Sequence, residues 1–135
     1  MAGLKPPTLI LDGEIAVFDR QLLSRFEWIR GRPKDEPATP PTLIAFDCLY
    51  SRGWDLRERP LHHRREALED VIGGQTAILP ARRLSADGLE AWVQVIERGY
   101  EGMVGKDPES PYREGRTLSW LKVKQPNYRE VSGIV

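Results

Sequence analysis

The chain has 135 residues, enough for one domain or one large piece of one, with 40% apolar and 30% charged residues, a soluble globular composition rather than a disordered one. Formal net charge is zero, so composition gives no support for strong autonomous nucleic-acid binding, and no apolar run approaches the roughly 18–20 residues that span a bilayer. The N-terminus Met1-Ala2-Gly3-Leu4-Lys5-Pro6-Pro7 lacks an apolar signal-type core, and Cys48 is the only cysteine, which excludes an intrachain disulfide. A cytoplasmic location is the expectation, with Cys48 read as a buried, inert thiol in an apolar run.

Thr8 to Phe18 reads as a strand interrupted by Asp12-Gly13-Glu14. Asp and Gly are poor strand formers, and an interior Gly marks a bulge or a close backbone approach, so this segment points to a site rather than a core. A short helix is expected over Gln21 to Arg30, with Leu22, Phe26 and Ile29 on one face, followed by a proline-rich loop from Arg32 to Pro41. Thr42 to Tyr50 is a second strand, and Ser51-Arg52-Gly53 a turn. Pro60 introduces a helix from Leu61 to Ile72, which Gly73-Gly74 ends. Ala77 to Leu84 is expected to be an edge strand because it contains Pro80. Leu89, Trp92, Val93 and Ile96 fall at helical spacing, with Asp87 as N-cap, Glu90 in a capping box and Gly99 as terminator. Two strands, Gly102 to Lys106 and Ser119 to Lys124, flank the polar loop Asp107 to Thr117. Strands and helices alternate without a βαβ rhythm, which predicts an α+β fold with antiparallel sheets and packed helices, in a single domain over 1–135.

Several residues are suited to chemistry. In Trp120-Leu121-Lys122-Val123-Lys124 the alternation puts Lys122 and Lys124 on one face and Leu121 and Val123 on the other. Two adjacent ammonium groups repel unless an anion such as a phosphoanhydride lies between them; the same pattern also describes a solvated strand face. Glu101 follows a helix-ending glycine and begins a strand, where a carboxylate suits a magnesium ion completed by substrate phosphates, or is simply a surface charge. Glu14 suits sugar hydroxyls, or is a strand-edge charge. Phe46 suits purine stacking, or a core position. The adjacent His62 and His63 read as surface residues or helix-start contacts.

Taken in order, Asp12-Gly13-Glu14, Phe46-Asp47, Glu101-Gly102 and Lys122-x-Lys124 resemble the motif series of covalent nucleotidyltransferases. The stretch Asp107-Pro108-Glu109-Ser110-Pro111-Tyr112-Arg113, with Gly115-Arg116 and Trp120 to Lys124 after it, resembles the adenylation domain of ATP-dependent DNA ligases of the end-joining type. RNA ligases and messenger-RNA capping enzymes share the core motifs; the Ser110 to Lys124 segment favours DNA ligase. The resemblance runs from about Leu9 to Glu130 and implies a partial ATP-grasp-like nucleotidyltransferase domain. It implies ATP or AMP as nucleotide, with Glu14 at the ribose, Phe46 on adenine, Lys122 and Lys124 at the phosphates, and Glu101 on Mg2+. It also implies nicked or broken duplex DNA as the partner, in repair and recombination.

The chain departs from that family's pattern. None of its lysines (Lys5, Lys34, Lys106, Lys122, Lys124) is followed by x-Asp-Gly, the context of the nucleophile that carries AMP, and the family's OB-fold domain is not present. Lys106 matches a family lysine or arginine position beside Glu101, not the nucleophile. The expectation is a truncated ligase fragment that does not adenylate itself, whose exposed sheet edges are covered by self-association or by a separate N-terminal piece. The alternative is a non-catalytic DNA- or protein-binding remnant. In either case Arg57, Arg59, Arg64, Arg65, Arg82 and Arg83 are candidate phosphate contacts.

Overall fold

The computed structural model describes residues 8–20, 24–31 and 38–126. They fall into two compact units: one runs up to Ala81 and includes Pro108–Arg116, and the other comprises Arg82–Asp107 and the residues from Thr117 onward. The elements are α+β, as expected.

The first unit is a four-stranded sheet carrying one helix. Strand β1 (Leu9–Ala16) pairs antiparallel with β2 (Thr42–Ser51), and β2 pairs antiparallel with β3 (Trp54–Asp55). Strand β3 was not anticipated. Its two residues are joined to β2 by Arg52 (φ 54) and Gly53 (φ 85), a two-residue turn of the kind whose left-handed backbone matches strand twist. The expected strand over Ala77 to Leu84 is confined to β4 (Ile78–Pro80), which joins β2 in parallel, an exception to the antiparallel expectation. Pro80 sits at the end of that pairing, opposite Ala45.

Helix α1 (Leu61–Ile72) has the expected bounds. Its buried stripe is Leu61, Arg64, Leu68 and Ile72, at i, i+3, i+7 and i+11, and it packs on β2. The core comprises Ala45, Cys48, Leu56, Leu68, Ile72 and Ile78. Burying residues such as Leu68 and Ile72 contributes about 1.5–3 kcal/mol each. Cys48 is fully buried, and burial together with the neighbouring Asp47 charge pushes its thiol up to about 11, so it stays protonated and inert.

One polar pair sits in this core. Asp47 and Arg64 are both fully buried. Arg64 Nε donates to Asp47 Oδ1 at 2.7 Å and a terminal nitrogen donates to Oδ2 at 3.0 Å; the other terminal nitrogen donates to the carbonyls of Arg59 (2.6 Å) and Ser110 (2.8 Å). Asp47 Oδ1 also accepts from the Cys48 amide at 2.9 Å. Both charges are compensated by fork-and-carboxylate geometry and by backbone, as a buried ion pair requires.

Of the helix expected over Gln21 to Arg30, residues 21–23 lie outside the described residues, and the described part holds a 3-10 turn at Phe26–Ile29 rather than an α-helix. Ser24 bridges back to Phe18, and the Arg25 amide donates to the Val17 carbonyl at 2.7 Å, so the backbone there is already committed. Leu22 and most of the expected Arg32 to Pro41 loop lie outside the described residues, and Ile29 is exposed rather than on a packed face.

The second unit is α2 (Gly88–Arg98) with a hairpin-like pair, β5 (Gly102–Lys106) and β6 (Trp120–Lys124). Asp87 caps α2 by accepting from the Leu89 and Glu90 amides, and Gly99 (φ 72) ends it. The capping box is closed indirectly: Ser85 Oγ donates to Glu90 and accepts from the Asp87 amide. The buried side of α2 is Ala91 and Val95, with Trp92 half-buried; Leu89, Val93 and Ile96, three residues of the predicted apolar stripe, are exposed. No helix among the described residues is long and apolar enough to cross a membrane.

The Asp47–Arg64 pair sets a double-mutant cycle. Arg64→Leu leaves a buried carboxylate without its cation and is expected to destabilise the chain by about 3–5 kcal/mol in urea unfolding. Asp47→Leu combined with Arg64→Leu is expected to recover much of that loss.

Candidate functional site

The Asp12-Gly13-Glu14 segment is shaped by close contact between strands. A Cβ on Gly13 would fall on the Ile44 carbonyl oxygen, so only glycine fits. The β1–β2 register shifts between Asp12 and Gly13: Asp12 lies opposite Asp47 and Gly13 opposite Ala45, so the pairing steps over Phe46. This is the bulge that the glycine implied. On β2, Leu43 and Ala45 face the core shared with α1, so Ile44 faces the other side, while Phe46 is the bulged residue at which strand alternation is interrupted. Glu14 is opposite Ile44 and therefore shares its face. Glu14 is exposed and Phe46 half-buried, and the two predicted nucleotide contacts of this unit lie on paired strands beside the bulge.

Asp12, on the other side of the bulge, is held from a distant part of the chain. The Tyr112 hydroxyl donates to Asp12 Oδ2 at 2.7 Å, and the Arg64 guanidinium lies 5.9 Å from the centre of the Tyr112 ring. The Tyr112 amide donates to the Arg57 carbonyl, while Arg113 pairs with Glu58 at 2.9 Å. Desolvation, the hydrogen bond to Asp12 and the charges of Asp12 and Asp47 push the Tyr112 hydroxyl up to about 12. At neutral pH it is a fixed donor. His62 stands at the start of α1, exposed, 3.3 Å from Glu109, a helix-start contact as anticipated.

In the second unit Glu101 and Lys124 form an ion pair at 3.1 Å. A Cβ on Gly102 would fall on the Val123 carbonyl, so glycine again allows the close approach of strands that sets a carboxylate in place. Gly102 pairs with Lys124, and the Gln125 amide donates to the Glu101 carbonyl at 2.8 Å. Val104 pairs with Lys122 and Lys106 with Trp120, so Lys106, Lys122 and Lys124 share one face. The Lys106 ammonium lies 4.0 Å from the centre of the Trp120 ring, a cation–π contact. Leu121 and Val123 occupy the opposite face, as the alternation predicted. The hairpin thus gathers three ammonium groups and one carboxylate on a short, largely exposed surface.

The six arginines read as phosphate contacts divide differently. Arg64 is the buried partner of Asp47 and cannot serve. Arg65 donates to Glu69 and to the Ala81 carbonyl. Arg57 grips Asp55 at 2.8 Å, and its hydrogen bonds hold the Asp55 carboxyl well below the usual carboxylate range. Arg59, Arg82 and Arg83 are exposed. Sequence reasoning missed the Asp47–Arg64–Tyr112 assembly. Its signal was present: an acid inside an apolar strand, and a base on the inward stripe of a helix.

The family model described as the ATP dependent DNA ligase domain matches residues 2–124. The DNA ligase of Haloferax volcanii is 31% identical over 92% of this chain and 23% of its own length. The multifunctional non-homologous end joining DNA repair protein LigD of Mycobacterium tuberculosis is 33% identical over 91% of this chain and 16% of its own. A solved structure described as mycobacterial DNA ligase D complexed with ATP and MES superposes with a TM-score of 0.74 at 32% identity, over 88% of this chain and 38% of that one. The ligase domain of M. tuberculosis LigD gives 0.72 at 32% identity, over 86% and 37%. The chain belongs to the ATP-dependent DNA ligase domain family, has that family's nucleotidyltransferase fold, and spans less than a quarter of the length of these curated relatives.

Tyr112 carries a pH signature. Its hydroxyl ordinarily ionises near 10 and here is raised to about 12, so the folded chain holds the proton more tightly than the unfolded one. Its contribution to stability is full below pH 10 and is lost as pH rises from about 10 to about 12. In a spectrophotometric titration of tyrosinate, one late-ionising component is expected in the parent chain and not in Tyr112→Phe.

Proposed function

We propose that this chain forms the nucleotide- and phosphate-holding part of an ATP-dependent DNA ligase that seals nicked or broken duplex DNA in repair and recombination, in the cytoplasm. The observation that carries the reading is the β5–β6 hairpin, where Lys106, Lys122 and Lys124 share one face and Glu101 is paired with Lys124. Ammonium groups gathered on one strand pair attract anions, and phosphoryl transfer is largely a matter of positioning and neutralising such anions.

In this reading Lys122 and Lys124 neutralise the phosphates of ATP or AMP, chiefly at the α-phosphate, where charge develops. Phe46 stacks on adenine and Glu14 accepts hydrogen bonds from the ribose hydroxyls; the pairing of Glu14 with Ile44, two residues before Phe46, supports this assignment. Tyr112 holds Asp12, and with it the entry into the Asp-Gly-Glu segment. Lys124 rests against Glu101 until a phosphate draws it away.

Magnesium suits Glu101. Such sites use one or two carboxylates and leave the remaining ligands to phosphate and water, and Glu101 is an exposed carboxylate beside the phosphate-binding lysines. Bound there, the ion supplies Lewis acidity at the phosphate oxygens. The described residues hold no cluster of three or more His, Cys, Asp or Glu side chains that would bind a metal by protein ligands alone.

The covalent step needs a lysine in a Lys-x-Asp-Gly context, which this sequence does not contain. The role proposed for the 135-residue chain is therefore binding and positioning. With labelled ATP and magnesium, no labelled band is expected to survive denaturing electrophoresis; a stable band would show a nucleophile within this chain.

Calorimetry with AMP or ATP and magnesium tests the pocket. Lys122→Ala/Lys124→Ala is expected to weaken binding by at least about tenfold, the scale of losing one charge-assisted hydrogen bond. Glu101→Gln is expected to reduce the magnesium dependence and leave magnesium-free AMP binding intact. Equal affinity of the parent and the double-lysine variant would overturn the assignment.

A further inference from the structure

A groove of about 270 Å3 runs along α1 beneath the β2–β3 hairpin, and it takes no part in the sites above. Leu56, Ala67 and Val71 are among its apolar lining. One wall is Trp54, which remains 67% exposed on its two-residue strand. An exposed tryptophan beside a concavity is unusual, because a ring of that size gains more from burial than any other side chain.

The polar lining is asymmetric. Arg52 and Asp70 neutralise one another at 3.3 Å. Arg59 and His63 remain as the other charged or titratable lining groups, at the start of α1, and no second acid lines the groove. The hairpin turn holds Arg52 at φ 54, a left-handed conformation that non-glycine residues seldom adopt. That strained turn carries the chain directly into Trp54. An aromatic wall, an apolar lining and a surplus cation, Arg59, with the His63 imidazole beside it, form the combination that binds single-stranded nucleic acid, in which a base stacks and a phosphate is gripped. The volume lies just below the range of small-molecule pockets, about 300–1,000 Å3, a size that suits one nucleotide.

We propose that this groove binds one nucleotide of a single-stranded DNA segment, with the base against Trp54 and the phosphate at Arg59 and His63. Its lining shares no residue with the lysine hairpin. It gives the chain a hold on a displaced or overhanging strand.

The test uses the 135-residue chain and a fluorescent oligothymidylate of about eight nucleotides, within the usual site sizes for single-strand binders. Anisotropy at low salt is expected to show binding that Trp54→Ala weakens by at least about fivefold, the lower end of base–aromatic stacking. Trp54→Phe is expected to retain most of the affinity. Because Trp54 is exposed, both variants are expected to fold, which circular dichroism checks. Arg59→Ala/His63→Ala is expected to weaken binding and flatten its salt dependence. Lys122→Ala/Lys124→Ala is expected to keep the Trp54 dependence, so failure of the nucleotide pocket and failure of this groove read out separately. The proposal is overturned if the parent chain does not bind the strand, or if Trp54→Ala binds it equally well. Tighter binding of an acidic, tyrosine-containing peptide, displacing the strand, would overturn it in favour of a protein ligand.

Discussion

The buried Asp47–Arg64 ion pair is the constraint around which the first unit is arranged. It joins β2 to α1, and the Ser110 carbonyl on Arg64 brings Pro108–Arg116 to the same point. Once that loop is in place, Tyr112 reaches Asp12, a hundred residues away in sequence. A buried ion pair is seldom worth more in stability than an apolar pair of the same shape. What this one adds is specificity: a planar fork with fixed donor directions accepts one placement of strand, helix and loop, whereas leucines would accept several.

Two glycines do for the backbone what the ion pair does for the core. Gly13 and Gly102 each stand where a neighbouring strand's carbonyl occupies the space of a Cβ. Each adjoins a carboxylate proposed to be functional, Glu14 in one case and Glu101 in the other. At Gly13 the close approach coincides with the register shift beside Phe46. At Gly102 it sets β5 against β6 so that Lys124 meets Glu101. The acidic motif residues are thus positioned by what their glycine neighbours lack.

Surface charge acquires a different meaning once partners are known. Arginine outnumbers lysine threefold in this chain, yet Arg64, Arg65 and Arg57 are engaged internally. Lysine is scarce, and three of the five lysines lie on one hairpin face. Abundance of a cation type says little about ligand binding; its register on a strand pair says more.

The sequence by itself determined the order of the elements other than β3 and the turn at Phe26, the bounds of α1, the caps of α2 and the strand alternation of Trp120 to Lys124, because these follow from local backbone chemistry and from periodicities of 3.6 and 2. It also carried the ordered motifs and the bulge at Gly13. Tertiary structure alone decided the rest. Local apolar spacing predicted a helix over Gln21 to Arg30, but among the described residues backbone bonds from Ser24 and Arg25 back to Phe18 and Val17 leave a single 3-10 turn. The periodicity of α2 announced an amphipathic helix, yet Ala91 and Val95 form its buried side, because the face that packs is chosen by the neighbouring element rather than by the stripe. The partners of Asp47, the tie between Tyr112 and Asp12 and the alignment of Lys106 with Lys122 all join residues far apart in the chain. Such pairings are set by register and packing, and no local rule encodes them.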